Sequence, residues 1–324
     1  MRIGIDIGGT NLVAAAVNER GEILKKVHCP TVAKEGYGPV VNRIVALVKT
    51  VITEMGQPEF IGAGVPGIIS SDGSRVSSCP NLGWMDQPLK DTLEACFKIP
   101  VKLGNDATVA GIAENRFGST RGYEDAVMFT LGTGVGGSVI LGGRVITGSR
   151  GAGSEFGHIV LDESGPVCGC GKRGCLETYA SSTAVIRKAC QALEKGETSM
   201  IQSFCDGDLS RIDAKMIMDA AKAGDRLGMA CVTQMANALG RAIGIISDII
   251  DPAIVVLGGG VAQTGEFLRQ RVEAEAQKQM TFKALPMPEI VLASLQNDAG
   301  LVGAAYIDLY YPIRNGIVKS RLNL

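Results

Sequence analysis

Hydrophobic and polar positions alternate from the first residues onward, and the period of that alternation changes along the chain. RIGIDIGGTNLVAAAVNERGEILKKVHCP reads as three strands, joined first by a Gly-Gly turn and then by a polar NERG turn. Val40, Val41, Ile44, Val45, Val48, Val51 and Ile52 then recur at helical spacing, which predicts an amphipathic helix packed on that sheet. FIGAGVPG follows as a buried strand. DAVMFTLGTGVGGSVILGGRVITG repeats the opening arrangement of strand, Gly-rich turn, strand, Gly turn and strand, the mark of an internal duplication. After it come a helix around 224–248, the buried strand AIVVLGGG, a helix around 265–280, the strand EIVLAS and a last helix around 299–313. The pattern predicts two α/β units of similar plan that meet near residue 118 and face one another across a cleft. A small N-terminal domain covers 1–118 and is completed by the last helix; a large domain covers 119–298.

Composition narrows what such a chain can bind. Its 324 residues are 46% hydrophobic and 20% charged, enough for two ordinary cores. Thirty-two basic against 33 acidic residues give a net charge of −1, so no global field draws the protein onto nucleic acid or anionic lipid. Asp6 interrupts the first apolar run, so the N-terminus does not read as a signal peptide. Asp248 and Asp251 cut the longest later apolar runs, which argues against a membrane span. The expected location is the cytoplasm. In a reducing compartment, clustered thiols point to a metal or to reactivity rather than to disulfides.

Two glycine turns and one cysteine loop stand out as chemistry. DIGGT and LGTGVGGS each join two strands with glycines that let backbone N–H groups approach an anion, and Thr10 and Thr133 add hydroxyls. A tight hairpin turn explains either motif equally well; the repetition favours phosphate. Neither matches the strand-to-helix phosphate fingerprints. In GHIVLDESGPVCGCGKRGCLE, Cys168, Cys170 and Cys175 form C-x-C-x₄-C with glycines between them, and His158 completes a Cys₃His set suited to tetrahedral zinc. The other reading is three unrelated thiols and a core histidine. Cys29, Cys79, Cys96, Cys190, Cys205 and Cys231 are scattered and read as small core residues.

The order IDIGGT, VPG, NLGW, GNDA, LGTGVGGS, EFGH, CGCGKRGCLE and LGGGV resembles the ROK family of sugar kinases over nearly the whole chain. The resemblance implies a two-domain actin-like ATPase fold, ribonuclease H-like and duplicated, with the active site in the interdomain cleft. It implies ATP as phosphoryl donor and Mg²⁺ beside Asp6, with Gly8, Gly9 and Thr10 facing the terminal phosphates. Gly132, Thr133 and Gly134 would hold phosphate, while Gly258, Gly259 and Gly260 pack against the adenosine. Asp106 is implied as the catalytic base at the 6-hydroxyl of a hexose, most plainly glucose, with Asn105 holding the sugar. Glu155, His158 and Glu177 converge on the sugar's far rim, and zinc on one nitrogen of His158 fixes its tautomer. The phosphate turns lie elsewhere in the chain, so loss of zinc is expected to weaken the sugar far more than ATP. A homo-oligomer, dimer or tetramer, is also implied.

Two features qualify the resemblance. QNDAG at Gln296–Gly300 repeats the Asn-Asp-Ala of Asn105–Ala107 before another helix, so the tripeptide alone is uninformative and Asp298 reads as a helix cap. Ser154 stands before Glu155, where the family usually has Gly. Family repressors carry an added N-terminal DNA-binding domain, whereas Met1 here starts almost directly on the first strand. The remaining alternatives are a kinase for N-acetylglucosamine, N-acetylmannosamine or fructose, and a non-catalytic sugar sensor.

Overall fold

The computed structural model describes residues 1–310. Its first sheet is built from β1 (Arg2–Ile7), β2 (Asn11–Val17) and β3 (Ile23–Pro30), followed by helix α1 (Tyr37–Met55) and β4 (Ile61–Val65). Three short strands, β5 (Ile68–Ile69), β6 (Val76–Cys79) and β7 (Trp84–Gln87), form a separate small sheet. Helix α2 (Leu89–Phe97) leads to β8 (Val101–Asn105), which completes the first sheet, and α3 (Asp106–Phe117) leaves it. The second sheet takes β9 (Ala126–Leu131), β10 (Val135–Leu141) and β11 (Arg144–Val145). Helices α4 (Glu177–Ala180), α5 (Ser182–Glu194), α6 (Ile201–Phe204), α7 (Ala214–Lys222) and α8 (Arg226–Ile250) come next. They precede β12 (Ile254–Gly258), α9 (Glu266–Gln279), β13 (Glu289–Leu292) and α10 (Ala299–Ala305).

Topology shows the duplication more sharply than sequence does. The strand orders are β3-β2-β1-β4-β8 and β11-β10-β9-β12-β13. In each, three strands pair antiparallel and the last two add in parallel. Each sheet is packed on one face by its own helices. Ile3, Ile5 and Ile7 meet Val40, Ile44 and Val48 of α1, and Phe129, Val255 and Leu257 share a core with Leu239 and Ile243 of α8. Helix α8 is long and apolar enough to cross a membrane, but most of its apolar stretch is buried against these neighbours.

The other faces are covered by an exchange of helices. Helix α10, from the end of the chain, lies on the first sheet so closely that a Cβ at Gly4 or Gly62 would strike the backbone of Leu301 or Ala304. Helix α3 lies on β9 and β10, and the two helices touch where Gly303 meets the Val109 carbonyl. Because the obstacle is backbone, Gly303→Ala is expected to cost about 1–3 kcal/mol, read as a lower thermal midpoint. The last helix is shorter than 299–313: it ends at Ala305, and 311–313 lie outside the described residues.

Two local expectations are corrected. Of the six scattered cysteines, Cys79, Cys205 and Cys231 are buried, Cys29 and Cys190 are half-buried, and Cys96 is exposed on α2, so they are not uniformly core. Asp298 stands at the start of α10 but makes no capping hydrogen bond; its Oδ1 instead pairs with Lys26 Nζ at 2.5 Å. That ion pair ties the start of α10 to β3 of the first sheet.

Candidate active site

Asn105 and Asp106 sit where β8 ends and α3 begins. Asn105 is the cap of α3: its Oδ1 accepts from Ala107 N at 2.9 Å and Thr108 N at 3.1 Å, and its Nδ2 donates to Gly67 O at 3.2 Å. Capping frees its neighbour. Asp106 accepts one bond from Ala107 N at 2.9 Å and otherwise points into a cavity of about 420 Å³ between the two sheets. The same cavity is lined by Gly132, Thr133, Gly134, Glu155, His158, Glu177 and Gly259.

The electrostatics of this cavity are those of crowded carboxylates. Asp106 is open to cleft solvent yet surrounded by protein on most sides; loss of hydration pushes its pKa up to about 6, against the Ala107 N–H, and Asp6 and Glu155 add to the rise. Burial raises the Asp6 carboxyl as well, with Lys26 opposing. Glu155 is raised by burial, with His158 pulling it down and Glu177 pushing it up. Four acidic groups are therefore near enough to sense one another, an arrangement that favours a divalent cation or a ligand rich in hydroxyls.

The two glycine turns are placed differently. Gly8 N–H and Gly132 N–H close their own turns, on Asn11 O at 2.9 Å and Gly134 O at 3.0 Å, so neither is the donor an anion meets. Gly132, Thr133 and Gly134 form cavity wall; Gly8, Gly9 and Thr10 are not among the lining residues, and Gly9 comes near them beside Asn81. A second cavity of about 470 Å³ shares Gly132 and Thr133 and runs on past Ser182, Ile186, Asp213, Lys215, Gly260 and Val261. Of the three glycines after β12, Gly260 lines this second cavity and Gly259 the first. Gly258 instead packs between Met128 and Ala293 as the last buried residue of the strand.

His158 and the three cysteines meet. Their ligand atoms all lie within 4.8 Å of one another, with His158 Nδ1 3.6 Å from Cys168 Sγ and Cys170 Sγ 3.7 Å from Cys175 Sγ. A tetrahedral zinc with ordinary bond lengths has S···S edges of roughly 3.8 Å and N···S edges of roughly 3.6 Å. The donor set and its spacing fit. Since Nδ1 faces the thiols, Nε2 is the ring nitrogen left for another partner, and His158 also lines the carboxylate cavity. The cysteine loop comes close to the Gly132–Gly134 turn: Glu177 Oε2 accepts from Val135 N at 3.0 Å.

Ser154 occupies a left-handed backbone conformation, φ +67°, which costs a side-chain-bearing residue of order 1 kcal/mol. Its hydroxyl donates to Ile146 O at 3.0 Å and anchors the strained turn that carries Glu155. That conformation explains why glycine suits this position. Trp84 of NLGW is buried, edge-on to Tyr37 at 5.1 Å between ring centres, while Asn81 of the same motif lines the cavity.

The sequence profile described as ROK family matches residues 2–309. The chain belongs to the ROK family. It is 37% identical over 306 residues to a glucokinase from Thermotoga maritima, covering 94% of this chain and 96% of that one. It is 33% identical over 307 residues to an N-acetylmannosamine kinase from Escherichia fergusonii, covering 94% and 97%. A ROK family glucokinase from Streptomyces griseus, solved with glucose and AMPPNP, superposes with a TM-score of 0.84 at 34% identity, covering 94% of this chain and 98% of that chain. The two-domain actin-like sugar-kinase fold is therefore the fold of this ROK chain. Pro66, Gly67, Asn81 and Thr130 line the first cavity and escaped the sequence reading, as did Ser182, Ile186, Asp213 and Lys215 in the second. Pro66 and Gly67, inside VPG, and Asn81, inside NLGW, gave a signal; the others lie in no motif that was singled out.

Proposed function

We propose that this chain is an ATP-dependent glucokinase that transfers the γ-phosphoryl group to the 6-hydroxyl of glucose, giving glucose 6-phosphate and ADP. The observation that carries the reading is Asp106, a cleft carboxylate with one weak tether and a raised pKa, facing a glycine turn across the cavity. Phosphoryl transfer to an alcohol asks for little covalent chemistry from a protein: in-line positioning, neutralised charge and an acceptor for the hydroxyl proton. Asp106 is the acceptor. Glucose lies against Asn105, Glu155, His158 and Glu177, and the nucleotide runs from the Gly132–Gly134 turn into the neighbouring cavity, past Gly259 and Gly260. Gly8, Gly9 and Thr10 approach its terminal phosphates from the β1–β2 turn of the first sheet.

Two metals belong to this reading. Magnesium prefers oxygen ligands and phosphates, and Asp6 is the carboxylate available to it at the end of β1. Zinc is held by His158, Cys168, Cys170 and Cys175, where it fixes the imidazole rather than taking part in transfer. The similarity to the Thermotoga maritima and Streptomyces griseus glucokinases supports glucose as acceptor. The similarity to an N-acetylmannosamine kinase supports a second reading, another hexose at the same site. A cytoplasmic homo-oligomer is part of the proposal, supported by the resemblance and by exposed Ile249, Phe282 and Leu285 at one end of the large domain.

ADP release measured over glucose, mannose, fructose, N-acetylglucosamine and N-acetylmannosamine tests the reading. Glucose is expected to give the highest kcat/KM; no turnover with any of them overturns it. The pH profile follows from Asp106. A base works only when deprotonated, and its pKa is raised to about 6, so kcat/KM for glucose is expected to be level above about pH 7. Below pH 6 it should fall about tenfold per unit. A profile flat down to pH 5 would remove Asp106 as the titrating group.

A further inference from the structure

We infer that Glu177 is a positioning residue for the phosphate turn, and that the stretch it opens, directly after the cysteine loop, holds the nucleotide half of the site in shape. This deepens the kinase reading and rests on it. The carboxylate stands between the two features: Oε2 accepts from Val135 N at 3.0 Å, directly after the Gly132–Gly134 turn, and Oε1 lies 3.9 Å from Cys168 Sγ. Gly134 makes room for it, since a Cβ there would strike Oε2.

Two further bonds come from the same short stretch. Ser182 N donates to Gly132 O at 2.8 Å, and Thr183 Oγ1 donates to Thr133 O at 2.8 Å. Residues 177–183 thus form a bed under 132–135, one bond each to Gly132, Thr133 and Val135. That bed begins two residues after Cys175. A glycine turn is otherwise free to sample many backbone conformations, and every one it must give up on binding weakens the nucleotide. Held in advance by a side-chain acceptor and two further bonds, it presents its donors already aimed. A group serving only the sugar would have no reason to spend an oxygen on Val135.

The test separates this from sugar binding by leaving the sugar out. AMPPNP with magnesium is titrated by calorimetry into the unaltered protein and into Glu177→Ala, Glu177→Gln and Thr183→Val, without glucose and with thermal midpoints recorded. Glu177→Ala is expected to weaken AMPPNP by about tenfold to a hundredfold, the range for losing a charge-assisted bond. Glu177→Gln keeps an oxygen for Val135 N–H and should stay within about threefold. Thr183→Val, at an exposed position, should weaken AMPPNP several-fold and leave the KM for glucose unchanged. AMPPNP affinities equal to the unaltered protein in both Glu177→Ala and Thr183→Val overturn the inference while leaving the kinase reading intact. Failure of the unaltered protein to bind AMPPNP overturns that reading and this inference together.

Discussion

Asp106→Asn is expected to lower turnover by about 10²–10⁴-fold, or about 3–5 kcal/mol of barrier, while fold and glucose affinity are retained. The amide is nearly isosteric with the carboxylate, and its oxygen can still accept from Ala107 N. What it cannot do is take the proton of the attacking hydroxyl. The control is built into the sequence. Asp298 stands in the same Asn-Asp-Ala tripeptide, but its partner is Lys26 on β3, at an ion pair whose side chains are each close to half exposed. Pairs of that kind contribute little, so Asp298→Asn is expected to shift stability by less than about 1 kcal/mol and turnover hardly at all. Steady-state kinetics of the two variants, with circular dichroism to confirm folding, give the comparison. Equal losses of kcat would show that the tripeptide, rather than its place in the cleft, sets the behaviour.

Cys170→Ser is expected to cost the protein its zinc and to raise the KM for glucose by about 10–100-fold, the usual range when the outer support of a binding group is lost. Metal analysis of the unaltered protein, purified without added zinc, should find one zinc per chain. Cys170 is the exposed member of the set, so its replacement opens no cavity in the core. Without the metal, only a long contact of 3.6 Å with Cys168 Sγ keeps His158 Nδ1 on the side of the thiols, and Nε2 is less firmly directed toward the cavity. The KM for ATP should rise less: His158 is itself a ligand, whereas the phosphate turn is held by Glu177, Ser182 and Thr183, none of them a ligand. An unchanged glucose KM in folded, zinc-free Cys170→Ser would reduce the metal to a brace for the loop. Full activity with no zinc in the unaltered protein would remove the metal from the proposal altogether.

Much of this molecule is written in short-range pattern. The first three strands, the helix through Val40–Ile52, the repeated strand-glycine-strand plan and the Cys₃His set all depend on residues within about twenty positions of one another. Local spacing decides which face a side chain occupies, and a cluster like Cys168, Cys170 and Cys175 needs only a flexible loop to meet. The sequence therefore determined the two-unit plan and the candidate donors. It could not decide which helix covers which sheet, because that depends on backbone contacts such as Gly303 on Val109, between residues nearly two hundred apart. Nor could the tripeptide by itself tell Asp106 from Asp298, which only the family resemblance separated, since identical tripeptides differ in what long-range packing sets opposite them: a cleft of carboxylates in one case, Lys26 in the other. The same reason hid the bond from Val135 to Glu177, forty-two positions apart in the chain, which only the tertiary fold brings to 3.0 Å, where the start of α4 meets the start of β10.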